Sequence, residues 1–226
     1  MRQASLMSGI LYVHVKSPRE AEQAEQGGAD RLVLTGEDGL LSPLPQTLVA
    51  VRRASTLHLR VMLRSHVGSD VDGGEMTRLK GLASSFQAEG ADGFVFGFLN
   101  PMTGVDVDAC CELAGDDSWN WTFDRTVDAA LDQDRAWEDV RRLPRLDSIM
   151  TAGSARDVEH GIDRLISHRM KRPAVIAAGG LRSEHVPWLV RGGVTQFLIE
   201  PERGGVDAVR SWRRLVDQEI ARRPSL

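Results

Sequence analysis

Residues 122 to 125, Thr122-Phe123-Asp124-Arg125, set a hydroxyl, a carboxylate and a guanidinium almost side by side. In an extended segment alternate side chains point the same way, so Thr122 and Asp124 share one face. A carboxylate takes or gives a proton, and a guanidinium grips a carboxylate or phosphate through two parallel hydrogen bonds. Arg64, which closes the apolar run Leu57 to Leu63, offers a second guanidinium. The expected catalytic set is therefore Asp124, Arg125 and Arg64. An arginine at the end of an apolar strand is costly to bury alone, so Arg64 should meet Asp124 or an anionic ligand. Asp128 is the expected second partner of Arg125. The same pairs also fit plain ion pairs between loops.

Further candidates follow from residue type and place. Gly179-Gly180, after the run Ala174 to Ala178, lets backbone N–H groups approach a phosphate closely, or else forms a plain tight turn. Two carboxylates, Glu200 and Glu202, would repel a dianion there unless Arg182 or Arg203 offsets them. Thr122, Asp128, Thr151, Gly179, Gly180, Arg182 and Arg203 thus form the expected ligand-binding group. His14, His66 and Glu200, with Asp124 beside them, are a nitrogen and oxygen set suited to zinc, copper(II) or iron, though without a fixed-spacing motif. The three lysines, Lys16, Lys80 and Lys171, lie away from strand ends, which argues against Schiff-base chemistry. No nucleophile-elbow pattern occurs.

What must position these groups is a repeat. Gln23 to Leu34, Gln87 to Phe96 and Leu189 to Ile199 each run from a polar helical pattern through glycine into a short apolar stretch. Glycine supplies the left-handed step that ends a helix, and the apolar stretch reads as a strand buried on both faces. Eight such strand–helix units of about 28 residues fit the chain, which predicts a single (β/α)8 TIM barrel. An open doubly wound sheet lacks its glycine fingerprint after the first strand. The barrel domain is expected over residues 9–226, behind a flexible tail of residues 1–8 in which Met7 is a second candidate start. Ser17 and Ser154 are expected helix caps, and Leu44 is expected on the buried face of the second helix. In such a barrel the site forms at the C-terminal ends of the strands, where all the candidates above are placed.

Composition narrows the partners. A net charge of −4 gives no general reason for nucleic acid, and no apolar run reaches the roughly 18 residues of a membrane span. The only cysteines, Cys110 and Cys111, are adjacent, so a disulfide framework is absent and a reducing cytoplasm is expected.

The strand-end residues also resemble a known family. Gly27-Gly28-Ala29-Asp30-Arg31, Gly39-Leu40-Leu41-Ser42-Pro43, Leu63-Arg64, Gly93 to Gly97, Thr122 to Asp128, Thr151-Ala152-Gly153 and Ala178 to Arg182 are similar, in order and spacing, to the CutC family. The resemblance implies a small (β/α)8 barrel, a name drawn from copper homeostasis, a copper or other divalent ion, and a homodimer with Trp188 and Trp212 as interface candidates. Where the family pattern has acids and a thiol, this chain has Tyr12, Val33 and His14, and Asp124 stands where the family has histidine. Arg64, Thr122, Arg125, Asp128, Thr151 and Gly179 match it. No soft sulfur ligand is expected at the mouth, and the arginine and hydroxyl groups suit a small anion. Three functions stay open: metal handling, an enzyme acting on a small phosphorylated or carboxylated metabolite, and a catalytically silent scaffold barrel.

Overall fold

A computed structural model describes residues 9–115, 119–167, 173–200 and 204–222. Eight strands run as β1 (Ile10–Val15), β2 (Arg31–Leu34), β3 (His58–Met62), β4 (Gly93–Phe96), β5 (Asn120–Phe123), β6 (Leu146–Thr151), β7 (Ala174–Ala177) and β8 (Gln196–Ile199). Each is followed by a helix: α1 (Pro18–Gly27), α2 (Pro45–Ala54), α3 (Gly73–Ala88), α4 (Val107–Ala114), α5 (Gln133–Val140), α6 (Val158–Ser167), α7 (Val186–Gly192) and α8 (Gly205–Ala221). Every strand pairs in parallel with its neighbour in sequence, and β8 pairs with β1, so the sheet closes into the expected barrel. Among the described residues no helix is long and apolar enough to cross a membrane.

The repeat works as its glycines require. Gly28 and Gly193 take left-handed backbone at the ends of α1 and α7 and return the chain to the next strand. Ser17 caps α1 through the N–H of Glu20. Ser154 does not cap α6. Its hydroxyl holds the turn before the helix, and Asp157 accepts from the N–H of His160 instead. Leu44 precedes α2 and is exposed, because Pro45 starts the helix after it and turns Leu48 and Val51 inward.

Register and alternation together sort the barrel interior into layers of four from alternate strands. His14, Met62, Asp124 and Ala178 form the layer nearest the C-terminal mouth. Val33, Val95, Met150 and Leu198 form the next, and Tyr12, Arg60, Thr122 and Ile176 the third. The outward strand residues pack under the helices with rings such as Phe96 and Trp121, which stack at 4.1 Å.

The third layer is unusual in carrying charge. Arg60, 2 % exposed, spans the interior to Asp147, with Nη1 2.8 Å from Oδ1, and also donates to Thr122 Oγ1. Arg31 donates to the Tyr12 hydroxyl at 3.0 Å, and that hydroxyl donates to Gln196 at 3.0 Å. These bonds pair the terminal nitrogens of Arg60 and the Tyr12 hydroxyl, which would be costly to bury unpaired, while Arg60 Nε has no hydrogen-bond partner among the described residues. They also close the lower barrel, so that its open space lies at the C-terminal mouth.

Candidate functional site

The top two layers and the loops above them enclose a cavity of about 350 Å3. Its floor is Val33, Met62, Met150, Ala178 and Leu198, and its wall includes His14, Thr35, Arg64, Asp124, Arg125 and Glu200. Side chains from seven different strands or their following loops thus converge on one cavity.

Arg64 meets Asp124, as its position predicts: Nη2 donates to Oδ2 at 2.6 Å. The same nitrogen lies 2.7 Å from Thr126 Oγ1 and 3.1 Å from the Gly97 carbonyl, while Nη1 donates to the Gly68 carbonyl. The other Asp124 oxygen accepts from the Thr126 N–H at 2.8 Å and caps the 3-10 turn Arg125–Ala129. Asp124 is 5 % exposed. Two of the three expected catalytic residues, Arg64 and Asp124, thus have their terminal nitrogens and carboxylate oxygens bonded to the protein, with the geometry of a brace tying the β3 loop to β5.

Arg125 differs. Nε donates to Asp128 Oδ2 at 3.2 Å and Nη2 to the Arg156 carbonyl at 3.1 Å. Nη1 has no hydrogen-bond partner among the described residues, and the side chain lines the cavity at 36 % exposure. Its guanidinium lies against Gly179, whose φ of +88° and missing Cβ make the approach possible; an added Cβ would overlap the guanidinium carbon. Asp128, 4 % exposed, accepts from Ala152 N at 2.8 Å and from the Thr151 hydroxyl. Burial pushes the Asp128 carboxyl above its ordinary value, against the lowering effect of those donors and of Arg125.

Asp128 and Thr151 are thus buried supports beneath Arg125. Thr122 is a plainer correction to the expected ligand group. It lies fully buried in the third layer, bonded to Arg60 and, at 2.8 Å, to Ser148. Alternation predicts that it points inward but says nothing of its depth below the mouth.

His14 and Glu200 stand beside each other where β1 and β8 meet at the rim. His14 Nε2 lies 2.7 Å from Thr35 Oγ1, and that hydroxyl donates to the Gly36 carbonyl at 3.0 Å. Thr35 then has only a lone pair for the imidazole, so Nε2 carries the proton and Nδ1 is left as the acceptor. Burial holds the imidazole below its usual range, and the negative charge of Glu200 opposes that shift. Glu200 is exposed and has no hydrogen bond or ion pair among the described residues. It is the mouth carboxylate with its oxygens free.

His66 is not in the cavity. It turns toward α3, 3.4 Å from Glu75. The expected set of His14, His66 and Glu200 is therefore not assembled, and no three His, Cys, Asp or Glu side chains among the described residues lie close enough to share a metal ion. The expectation that no sulfur reaches the mouth also fails, since Met62 and Met150 both line the cavity floor. Their strand-end positions on the inward register were legible in the sequence; methionine is simply read first as core packing.

A second cavity, of about 630 Å3, opens between the ends of β7 and β8 and the start of α8 and shares Leu198 and Glu200 with the first. Gly179, Gly180, Leu181 and Arg182 line it, together with Asp157, Glu159 and Trp212. Arg182 is tied to Glu159 and, at 3.2 Å, to Glu184. The cation expected to offset the carboxylates is thus already engaged. Arg203 lies outside the described residues.

Comparison with known proteins places these features. The CutC family profile matches residues 10–199. A copper homeostasis protein cutC homolog of Drosophila melanogaster is 33% identical over 183 residues, 76% of this chain and 69% of that protein. Its counterpart in Homo sapiens is 29% identical over 196 residues, 83% of this chain and 71% of that protein. Among solved structures, a putative copper homeostasis protein CutC from Streptococcus agalactiae superposes with a TM-score of 0.76 at 15% identity, over 84% of this chain and 97% of that one.

Proposed function

Because the chain belongs to the CutC family, we propose that its barrel mouth binds a small metabolite carrying a carboxylate or phosphate group. The observation that carries the reading is the Arg125 guanidinium, fixed at Nε and Nη2, packed against Gly179 and lining a cavity with an apolar floor. A guanidinium held in advance loses little freedom on binding an anion. Proton transfer is the chemistry available beside it, through the free Glu200 carboxylate and His14 Nδ1. Arg64 and Asp124 shape the wall. The neighbouring β7–β8 cavity suits an anion less, since Asp157, Glu159 and Glu200 line it and Arg182 is paired.

Calorimetric titration of a panel of carboxylated and phosphorylated metabolites tests the reading. At least one should bind, and Arg125→Ala should abolish its binding while Glu200→Gln leaves the fold intact. A panel in which nothing binds would leave the silent scaffold. The cytoplasmic location and the homodimer belong to the same proposal; Trp188, 59 % exposed on α7, supports a contact surface, and light scattering measures it.

A second reading, handling of copper as the relatives' names suggest, is favoured by the two thioethers in the cavity floor.

A further inference from the structure

We infer that the ligand is zwitterionic, with its acid group at Arg125 and a primary ammonium group in the adjoining β7–β8 cavity. The inference rests on the anion reading above and adds the chemistry of the ligand's other end. Three observations carry it.

The first is adjacency. The 350 Å3 and 630 Å3 cavities share Leu198 and Glu200. Between them lies the turn Gly179-Gly180, with φ of +88° and +66°. The Arg125 guanidinium packs where a Gly179 Cβ would stand, and Asp157 Cβ lies 2.8 Å from where a Gly180 Cβ would stand. Consecutive Cα atoms are about 3.8 Å apart, so a cation and an anion pack on neighbouring residues of one turn. Arg125 Nη2 also donates at 3.1 Å to the carbonyl of Arg156, the residue before Asp157.

The second is charge. Asp157, Glu159 and Glu200 line the larger cavity, and its cation, Arg182, is already shared between Glu159 and Glu184. Glu200 has no ion pair among the described residues. Asp157 Oδ1 accepts from the His160 N–H at 3.1 Å and lies 2.7 Å from its Nδ1, while Oδ2 has no hydrogen bond among the described residues. The bonds from His160 hold the Asp157 carboxyl below its ordinary value, so it is ionised at neutral pH. Carboxylate oxygens left over in this way match an ammonium group, which brings three donors and a positive charge.

The third is the wall. Trp212 and Leu181 line the larger cavity, and Leu198 stands at the junction of the two. An indole face attracts a cation, and the leucines suit the carbon chain between the charged ends. Anchors on either side of a turn favour a ligand whose charges are separated by such a chain over an α-amino acid.

The experiment uses the full chain and matched pairs of probes. The pairs are γ-aminobutanoate, δ-aminopentanoate and ε-aminohexanoate against butanoate, pentanoate and hexanoate, and aminoethyl phosphate against ethyl phosphate. Binding is read by calorimetry and by the indole N–H signal of Trp212, identified by its loss in Trp212→Phe. In at least one pair the amino member should bind about 10-fold more tightly and move the Trp212 signal. Asp157→Asn, which can still cap α6, and Glu200→Gln should each bring that ratio toward one. Arg125→Ala should abolish binding of the amino member. Acids that bind as tightly as their amino counterparts, or a ratio unchanged in both carboxylate variants, would overturn the ammonium site and leave the anion reading standing. Failure of every probe to bind, or amino probes that survive Arg125→Ala, would sink both.

Discussion

Arg64 and Asp124 are 60 residues apart in the chain and 2.6 Å apart at the barrel rim, with side-chain exposures of 13% and 7%. Both terminal nitrogens of Arg64 and both oxygens of Asp124 are engaged by the protein. Removing one member of so enclosed a pair strands the other without water. Arg64→Met should therefore destabilise the fold by about 3 kcal/mol, read as a lower denaturant midpoint at unchanged slope. The double variant R64M/D124N should recover part of that loss. If Arg64→Met left stability unchanged but abolished metabolite binding, the pair would be catalytic after all.

Arg60 provides a graded comparison. It is more deeply buried than Arg64, yet its partner Asp147 is 35% exposed and can hydrate when abandoned. Arg60→Met should cost about 2 kcal/mol, less than Arg64→Met. Denaturation curves of the two variants, run side by side, settle the order. The reverse order would mean that the third-layer network, and not the rim, governs stability.

Gly179→Ala tests the seat of Arg125. The left-handed backbone at φ +88° should cost about 1 to 2 kcal/mol with any L side chain. The added Cβ must also push the guanidinium away from the turn. Loss of anion binding together with this modest destabilisation is the expected result. Retained binding at native affinity would show that Arg125 holds its ligand from a different position.

Asp128 gives a pH signature. Burial raises its carboxyl in the folded state, so the protonated form is the one the fold favours. Its contribution is fully present below the ordinary carboxylate value of about 3.9 and is lost as pH rises through the folded value. Asp128→Asn lacks this titration. Relative to the native chain, the variant should therefore gain stability as pH climbs from about 4 toward neutrality, measured by denaturant titration at a series of pH values. A difference that stays flat with pH would place the folded Asp128 carboxyl at its ordinary value.

Much of this was fixed by the chain read as a string. Glycine at the end of a helical pattern in three stretches, with a short apolar run after each, demands parallel strands with helical crossovers, because no other arrangement buries those runs on both faces. Eight such units close on themselves, so the barrel and the rim positions of Arg64, Asp124, Arg125 and Gly179 were legible without coordinates. What sequence could not convey was depth and company. Thr122 and Asp124 share a face of β5, but the tilt of the strands sets one beside Arg60 in the third layer and the other at the mouth. Asp124 and Arg125 are neighbours in sequence, yet one is consumed by Arg64 and a helical cap while the other keeps a nitrogen free. His66 turns to Glu75, and Met62 and Met150, from strands on different sides, meet the same floor. Alternation fixes which way a side chain points. Which partner it finds depends on the shear of the closed sheet, a property of all eight strands at once.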